Sequence, residues 1–184
     1  LYQRLARSGT TGEVPWRAVE VFFGDERDVP HDHIESNYHM VQRTLLDHLP
    51  IEPQRVHPMQ GAAEDLQAAA AEYEQIIRRI VPAGEGGLPR FDLVLLGVGG
   101  DGHAASLFPD TEVLDECHKL VRAYFVPVLG RSRMTFTFPL INAARYVVMF
   151  VTGADKAEAM ADMLSDDPQR CGRLPAARVR PAGG

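Results

Sequence analysis

Residues 91–109 read FDLVLLGVGGDGHAASLFP, and the fold turns on this stretch. Behind one acid, Asp92, the run Leu93, Val94, Leu95 and Leu96 is unbroken and apolar. A run this short, rich in Leu and Val, predicts a strand buried on both faces. Gly97, Gly99 and Gly102 follow at once. Glycine lets the backbone turn sharply and lets a ligand come close. An acid, Asp101, and an imidazole, His103, stand inside that glycine turn, and Ser106, Leu107, Phe108 and Pro109 close the segment. A buried strand that ends in a polar, glycine-lined turn carries reactive side chains to the C-terminal edge of a parallel sheet. Open α/β folds bind their ligands there.

Three readings of the turn compete. Gly97, Gly99 and Gly102 match the dinucleotide pattern G-x-G-x-x-G. Against it, Asp101 sets a negative charge beside the pyrophosphate, Pro109 arrives too soon for a long helix, and no strand-ending acid follows about 20 residues on. A second reading is purely structural: glycines for a tight turn, with Asp101 and His103 capping backbone groups. A third is a catalytic loop with His103 as general base. The density of Gly, Asp and His behind a buried strand favours the third.

Working outward, the 184-residue chain is long enough for one α/β domain with a sizeable core. Hydrophobic residues make up 45%, which marks a globular rather than a disordered chain. The formal net charge of -6 argues against nucleic acid as a partner, because a basic surface supplies most of that affinity. Cys117 and Cys171 form neither a disulfide framework nor a metal spacing. They fit reduced thiols and a cytoplasmic location. No apolar run approaches the length of a membrane span, and no signal peptide is visible. Nothing in the pattern speaks to oligomeric state.

Upstream, residues 1–6 predict the tail of a helix, ended by Ser8, Gly9 and Thr10. Trp16 to Gly24 (WRAVEVFFG) predicts a strand with Val19, Val21, Phe22 and Phe23 in the core. Asp25, Glu26 and Arg27 follow. Either they form a solvated turn with a weak ion pair, or an acid and a guanidinium point into the ligand crevice. Position alone leaves both open. His31 and His33 flank Asp32, but two histidines without a third clear ligand are weak grounds for zinc, so no metal is expected. Ser36 predicts an N-cap for a helix with Tyr38, Val41, Leu45 and Leu46 as its apolar stripe. Asn37 is either part of that cap or a contact to a sugar hydroxyl. Val56 to Met59 predicts a short extended segment. Ala62 to Val81 predicts a long helix ended by Pro82.

Downstream, Val113 and Leu114 predict a short helix, and Lys119 to Val126 a strand stopped by Pro127. Arg133 to Phe138 alternates polar and apolar, a strand with one wet face. Pro139 to Asn142 predicts a helical turn. Tyr146 to Val151 predicts a second buried strand, and Lys156 lies in the first turn of a helix reaching Leu164. A cation just past a strand end, near a helix N-terminus, suits an anion; an ordinary surface charge is the alternative, for Lys156 as for Arg133. Residues 166–184, polar and rich in Pro and Arg, predict loop and edge structure. If the strands ending after Phe23, Leu96 and Val151 are parallel, Asp25, Arg27, Asp101, His103 and Lys156 emerge along one edge.

The motif G-x-G-x-D-G-H followed by S-L-F-P, with G-D-E-R-x-V-P and S-N upstream, resembles the 6-phosphogluconolactonase family. That family belongs to a wider group with the glucosamine-6-phosphate isomerases/deaminases. The resemblance runs from about Val19 to about Arg180. It implies a mostly parallel, open α/β sheet flanked by helices, Rossmann-like, in three layers. It also implies hydrolysis of 6-phosphoglucono-δ-lactone to 6-phosphogluconate, with no cofactor and a phosphorylated sugar lactone as partner. By the resemblance, His103, Asp101, Asp25 and Arg27 are catalytic, and Asn37, Gly99, Arg133 and Lys156 bind substrate. An imidazole, with an ordinary pKa of about 6.5, takes a proton from water near neutral pH. Asp101 or Asp25 orients the ring, and Arg27 or N–H groups of the 97–102 turn stabilise the oxyanion.

Two departures separate the lactonase reading from a deaminase. Deaminases carry a glutamate five residues after the motif histidine, where this chain has Phe108, and an aromatic residue where it has Arg27. A non-catalytic sugar-phosphate regulator is a further alternative, but no basic helix-turn-helix accompanies the motif. The family also opens with a strand and a Gly/Ser-rich phosphate turn ahead of the segment matching residues 1–6. The expectation is therefore a single sugar-phosphate hydrolase domain over residues 1–184, shortened at its N-terminus and lacking its first strand, with the C-terminus a second candidate for shortening.

Overall fold

The computed structural model describes residues 1–8 and 14–181. In chain order the elements are α1 (Tyr2–Ser8), β1 (Val21–Phe22), β2 (Asp25–Arg27), α2 (Asn37–Thr44), β3 (Val56–His57), α3 (Leu66–Ile80) and β4 (Leu93–Gly97). There follow β5 (Val121–Val126), β6 (Arg131–Phe136), α4 (Phe138–Ala143), β7 (Tyr146–Phe150), α5 (Ala157–Met163) and α6 (Pro168–Cys171). Short 3-10 turns link them, including Glu112–Asp115, where a short helix is expected.

The mixed α/β class is as the sequence predicts. β4 and β7 pair in parallel, from Leu93 opposite Tyr146 to Gly97 opposite Phe150, and β1 pairs in parallel with β3. The remaining sheet is antiparallel, in the order β2-β6-β5. Arg27 stands opposite Arg133 in it. β5 and β6 form a hairpin whose turn closes at Gly130, at φ 62°. That left-handed conformation favours glycine.

Helix boundaries follow their caps. Oδ1 of Asp65 accepts hydrogen bonds from the backbone N–H groups of Gln67 and Ala68, so α3 starts at Leu66 and not at Ala62. Ala70, Tyr73 and Ile77 form its buried stripe at helical spacing, and the helix ends before Pro82 as expected. Ser36 caps α2 as predicted, its Oγ accepting from His39 N–H at 3.2 Å. α1 extends to Ser8; the predicted stop continues into Gly9 and Thr10, outside the described residues.

Several expectations need correction. Trp16 to Gly24 is not one strand: Trp16–Ala18 is a 3-10 turn, and only Val21–Phe22 pairs. Asp25 and Arg27 therefore do not emerge from the end of a parallel strand. They lie on β2, within the antiparallel sheet. β4 is not buried on both faces, because Val94 and Leu96 point into the core while Leu93 is 51% exposed. β7 likewise leaves Tyr146 61% exposed, with Val148 and Phe150 also open. An apolar run fixes a strand but not what lies against each face. Residues 166–181 are more ordered than loop and edge: α6 lies against α5, and the 3-10 turn at Pro175–Arg178 packs back on the glycine turn, with Ala176 N–H donating to Gly102 O at 2.9 Å. Gly183 and Gly184 lie outside the described residues.

The core lies between α3, the inner faces of β4, β5 and β6, and α4. Ile77, Leu107, Leu120, Val126, Met134, Leu140 and Ile141 are fully buried there. Burying each such side chain stabilises the fold by about 1.5–3 kcal/mol. Leu107 and Phe108 anchor the segment after His103 in this core, so the turn between β4 and Leu107 is held at both ends.

Candidate active site

The glycine turn is shaped around His103. Gly99 N–H donates to His103 O at 2.9 Å, and Gly102 N–H to Gly99 O at 3.1 Å. A Cβ on Gly99 would lie 2.1 Å from His103 Nδ1, so only glycine lets the ring fold back over the turn. Gly102 has φ +78°, and a Cβ there would meet Leu174 at 2.6 Å. These two glycines serve close approach and a left-handed turn, and their N–H groups are spent within it. Ala105, on the cavity wall, also has a positive φ of 50°, which is uncommon without glycine.

Asp101 orients the imidazole. Its Oδ1 lies 2.6 Å from His103 Nδ1 and accepts the His103 backbone N–H at 3.1 Å. Burial works against ionisation of Asp101, but the bonds from His103 outweigh it and hold its carboxyl below the usual range. With Nδ1–H donating to Asp101, Nε2 is the unprotonated nitrogen, and it has no hydrogen-bond partner among the described residues. Phe108 stacks on the ring at 4.3 Å between centroids and fixes its tilt.

Asp25 is held from two elements. Ser106 Oγ donates to its Oδ2 at 2.7 Å, and Asn37 Nδ2 donates to its Oδ1 at 3.1 Å and its backbone O at 2.9 Å. Burial raises the pKa of Asp25. The Ser106 bond and the Arg27 charge pull it down, and neighbouring Glu26 pushes it up. Ser106 is itself fixed: its N–H donates to Thr135 Oγ1 at 3.1 Å, and Tyr124 Oη donates to its carbonyl at 2.6 Å.

Glu26, between the two outward residues of β2, is fully buried. Its carboxylate accepts from Arg27 N–H, Asn37 N–H, Tyr38 N–H and Ser36 Oγ, all at 2.8–2.9 Å. It thereby ties β2 to the N-terminus of α2 and aligns Asn37 with Asp25. An acid at a helix start also complements the helix dipole.

Three cations face the cavity. Arg27 and Arg133 oppose one another across β2 and β6. Arg27 Nη1 donates to Glu35 O at 2.5 Å, and Arg133 Nη1 to Ser132 O at 2.8 Å. Burial and then the facing Arg27 draw the pKa of Arg133 down. Lys156 comes from the 3-10 turn after β7, with Nζ 3.1 Å from Asp155 Oδ2. It reaches the glycine turn: a Cβ on Gly100 would lie 3.6 Å from Nζ. Like charges directly opposite on a sheet repel, so an anion between them relieves the repulsion.

Asp25, Arg27, Asn37, Gly99, His103, Arg133 and Lys156 all line one cavity of about 520 Å³. Asp101 is not among its lining residues and reaches it through His103. All eight sequence-predicted residues therefore meet at one place. Ser106, Phe108 and Leu129 also line it and had no assigned role. Ser106 lies in the S-L-F-P motif, but its partner Asp25 is 81 residues away. Among the described residues no group of three or more His, Cys, Asp or Glu side chains is placed to hold a metal. His31 Nε2 instead bonds to Met59 O at 2.7 Å. No helix among the described residues is long and apolar enough to cross a membrane.

A 6-phosphogluconolactonase of Synechocystis sp. is 41% identical over 185 aligned residues, covering 100% of this chain and 73% of its own. One from Nostoc sp. is 38% identical, covering 90% of this chain and 66% of its own. The solved 6-phosphogluconolactonase of Trypanosoma brucei superposes with a TM-score of 0.82 at 32% identity, over 100% of this chain and 75% of that one. The chain thus spans about two thirds to three quarters of these relatives. The family model described as glucosamine-6-phosphate isomerases/6-phosphogluconolactonase matches residues 1–184. By sequence and by backbone, the chain belongs to the glucosamine-6-phosphate isomerase/6-phosphogluconolactonase family.

Proposed function

We propose that this chain hydrolyses 6-phosphoglucono-δ-lactone to 6-phosphogluconate, as a single sugar-phosphate hydrolase domain in the cytoplasm. The observation that carries the reading is the pairing of an Asp101-oriented imidazole, its Nε2 unpartnered among the described residues, with Arg27, Arg133 and Lys156 around one cavity. Relatives named for that activity match most of the chain.

Nε2 of His103 takes a proton from a water molecule as its oxygen bonds to the lactone carbonyl carbon. Asp101 stabilises the imidazolium that forms and keeps its Nδ1–H in place. Negative charge builds on the carbonyl oxygen. Arg27, on the cavity wall, donates to it and stabilises it. The tetrahedral intermediate collapses, the bond to the ring oxygen breaks, and the imidazolium returns its proton to that oxygen. Arg133 and Lys156 hold the 6-phosphate and so align the carbonyl with His103. Asn37 and the backbone at Gly99 contact the sugar. An ester carbonyl is electrophilic enough for this chemistry without further activation.

Phe108 argues against the deaminase alternative. Its ring is 7% exposed and stacks on His103, so the place of a proton-shuttling carboxylate is filled by an apolar support. A direct assay separates the readings. Lactone hydrolysis, followed by acid release from freshly prepared 6-phosphogluconolactone, is expected, and ammonia release from glucosamine 6-phosphate is not. Binding of the sugar phosphate without either turnover would favour the regulator.

A further inference from the structure

Arg131 and Arg133 are two apart on β6, so both side chains leave the same face of the strand. Asp28, the residue after β2, reaches in between them. Its Oδ1 is 2.9 Å from both Nε and Nη2 of Arg131, but 3.7 Å from Nη1 of Arg133. Its Oδ2 accepts the Ser132 N–H at 3.3 Å. A second carboxylate, Glu35, holds Arg131 Nη1 at 2.8 Å. Arg131 is thus bracketed by two acids and does not line the cavity, whereas Arg133 does.

We propose that Arg131 is a positioning residue for the anion-binding half of the cavity: it occupies Asp28 and so keeps that carboxylate from neutralising Arg133. The proposal rests on the reading of Arg133 as a phosphate-holding residue. Its chemistry is a competition for one carboxylate. Ser132 N–H tethers Asp28 beside β6 whether or not Arg131 is present. Without Arg131 the nearest cation to Asp28 is Arg133, and a shift of about 1 Å makes a charge-assisted hydrogen bond. That bond would set a fixed negative charge on the guanidinium that a substrate phosphate must reach. The pair is partly exposed, with Arg131 at 36% and Asp28 at 27%, so solvent limits the effect to a modest one.

The test is a double-mutant cycle on the whole chain, Arg131→Gln and Asp28→Asn alone and together, with Arg131→Lys as the conservative variant. KM and kcat for the phosphorylated lactone are measured, together with the side-chain 15Nε resonance of Arg133 in the ligand-free protein. In Arg131→Gln, KM rises about 3- to 10-fold and kcat stays within about twofold. Arg131→Lys is less affected. The double variant returns to within about twofold of the parent KM, because no carboxylate is left to compete. The Arg133 resonance shifts in Arg131→Gln and not in the double variant. An unchanged KM in Arg131→Gln overturns the proposal. So does a double variant as impaired as the single one, which would mean that Arg131 acts through its own charge. If the parent chain turns over no lactone, the substrate reading fails instead. The Arg133 resonance then decides alone: a shift in Arg131→Gln that Asp28→Asn abolishes upholds the competition, and its absence refutes it.

Discussion

His103 Nδ1 and Asp101 Oδ1 are 2.6 Å apart, and the same oxygen accepts the His103 backbone N–H. One carboxylate oxygen thus fixes both the ring and the backbone that carries it. The tautomer with a free Nε2 follows from that contact. Asp101→Asn keeps the size of the side chain but can present its N–H to Nδ1, which stabilises the opposite tautomer. Steady-state kinetics should show kcat lowered about 10²-fold or more with KM little changed. Unaltered kcat would remove Asp101 from the mechanism.

Asp25 is held as a buried carboxylate at a cost to stability. Its folded pKa lies above its unfolded one, so between the two values the folded state binds more protons. That contribution favours the fold below the unfolded pKa and is lost as pH rises through the folded pKa. Asp25→Asn should therefore melt higher than the parent at pH 7, and the gap should close as pH falls through the Asp25 pKa. Asn can still accept from Asn37 and donate to Ser106. Thermal melts from pH 7 to 4 check this; a variant that melts lower at every pH would contradict it.

Ser106→Ala removes the 2.7 Å donor to Asp25. The Asp25 pKa should rise further, and any limb of the kcat/KM profile that depends on its ionisation should move to higher pH. Ser106→Thr, which retains the hydroxyl, should move it less. A pH–rate series on the three proteins reads the shift.

Glu26 had no structural role legible in its neighbourhood. As one of two acids before an arginine it looks like a solvated turn, yet it is fully buried and answers four donors on β2 and α2. Glu26→Ala should cost about 3 kcal/mol or more by urea denaturation, since it leaves buried donors without acceptors. A loss under about 1 kcal/mol would mean that water replaces the carboxylate.

Glu116 gives a second pH dependence. Burial raises its pKa, but N–H donors from Lys119 and His118 and the Arg122 guanidinium outweigh that and bring it to about 2. Its folded pKa is depressed, so its stabilisation is present above the usual carboxylate range and lost as pH falls towards about 2. Solvent screens these contacts, so Glu116→Gln should lower stability by on the order of 1 kcal/mol at pH 7 and by progressively less below pH of about 4.

What could be read from the residues followed local pattern. The glycine turn, Asp101 and His103 sit within a few residues of one another, and their geometry is set by that spacing. The cap at Ser36, the strands after Lys119 and the cavity-lining Lys156 were legible for the same reason. Asp25 and Arg27 line the cavity from a different element than the one expected, because a three-residue strand paired to β6 has no hydrophobic signature of its own. Ser106 and Glu26 escaped notice because their partners are supplied by tertiary packing. The open faces of Leu93 and Tyr146 show the complementary limit. Leu and Val content predicts a strand, while the cover on each face depends on elements distant in the chain.

The most direct test of the central claim is turnover of 6-phosphogluconolactone by His103→Ala, measured beside the affinity of the same variant for 6-phosphogluconate. Removing the general base should lower kcat by about 10²- to 10⁴-fold, while Arg27, Arg133 and Lys156 keep product affinity within about threefold of the parent. Turnover near that of the parent protein would contradict the account.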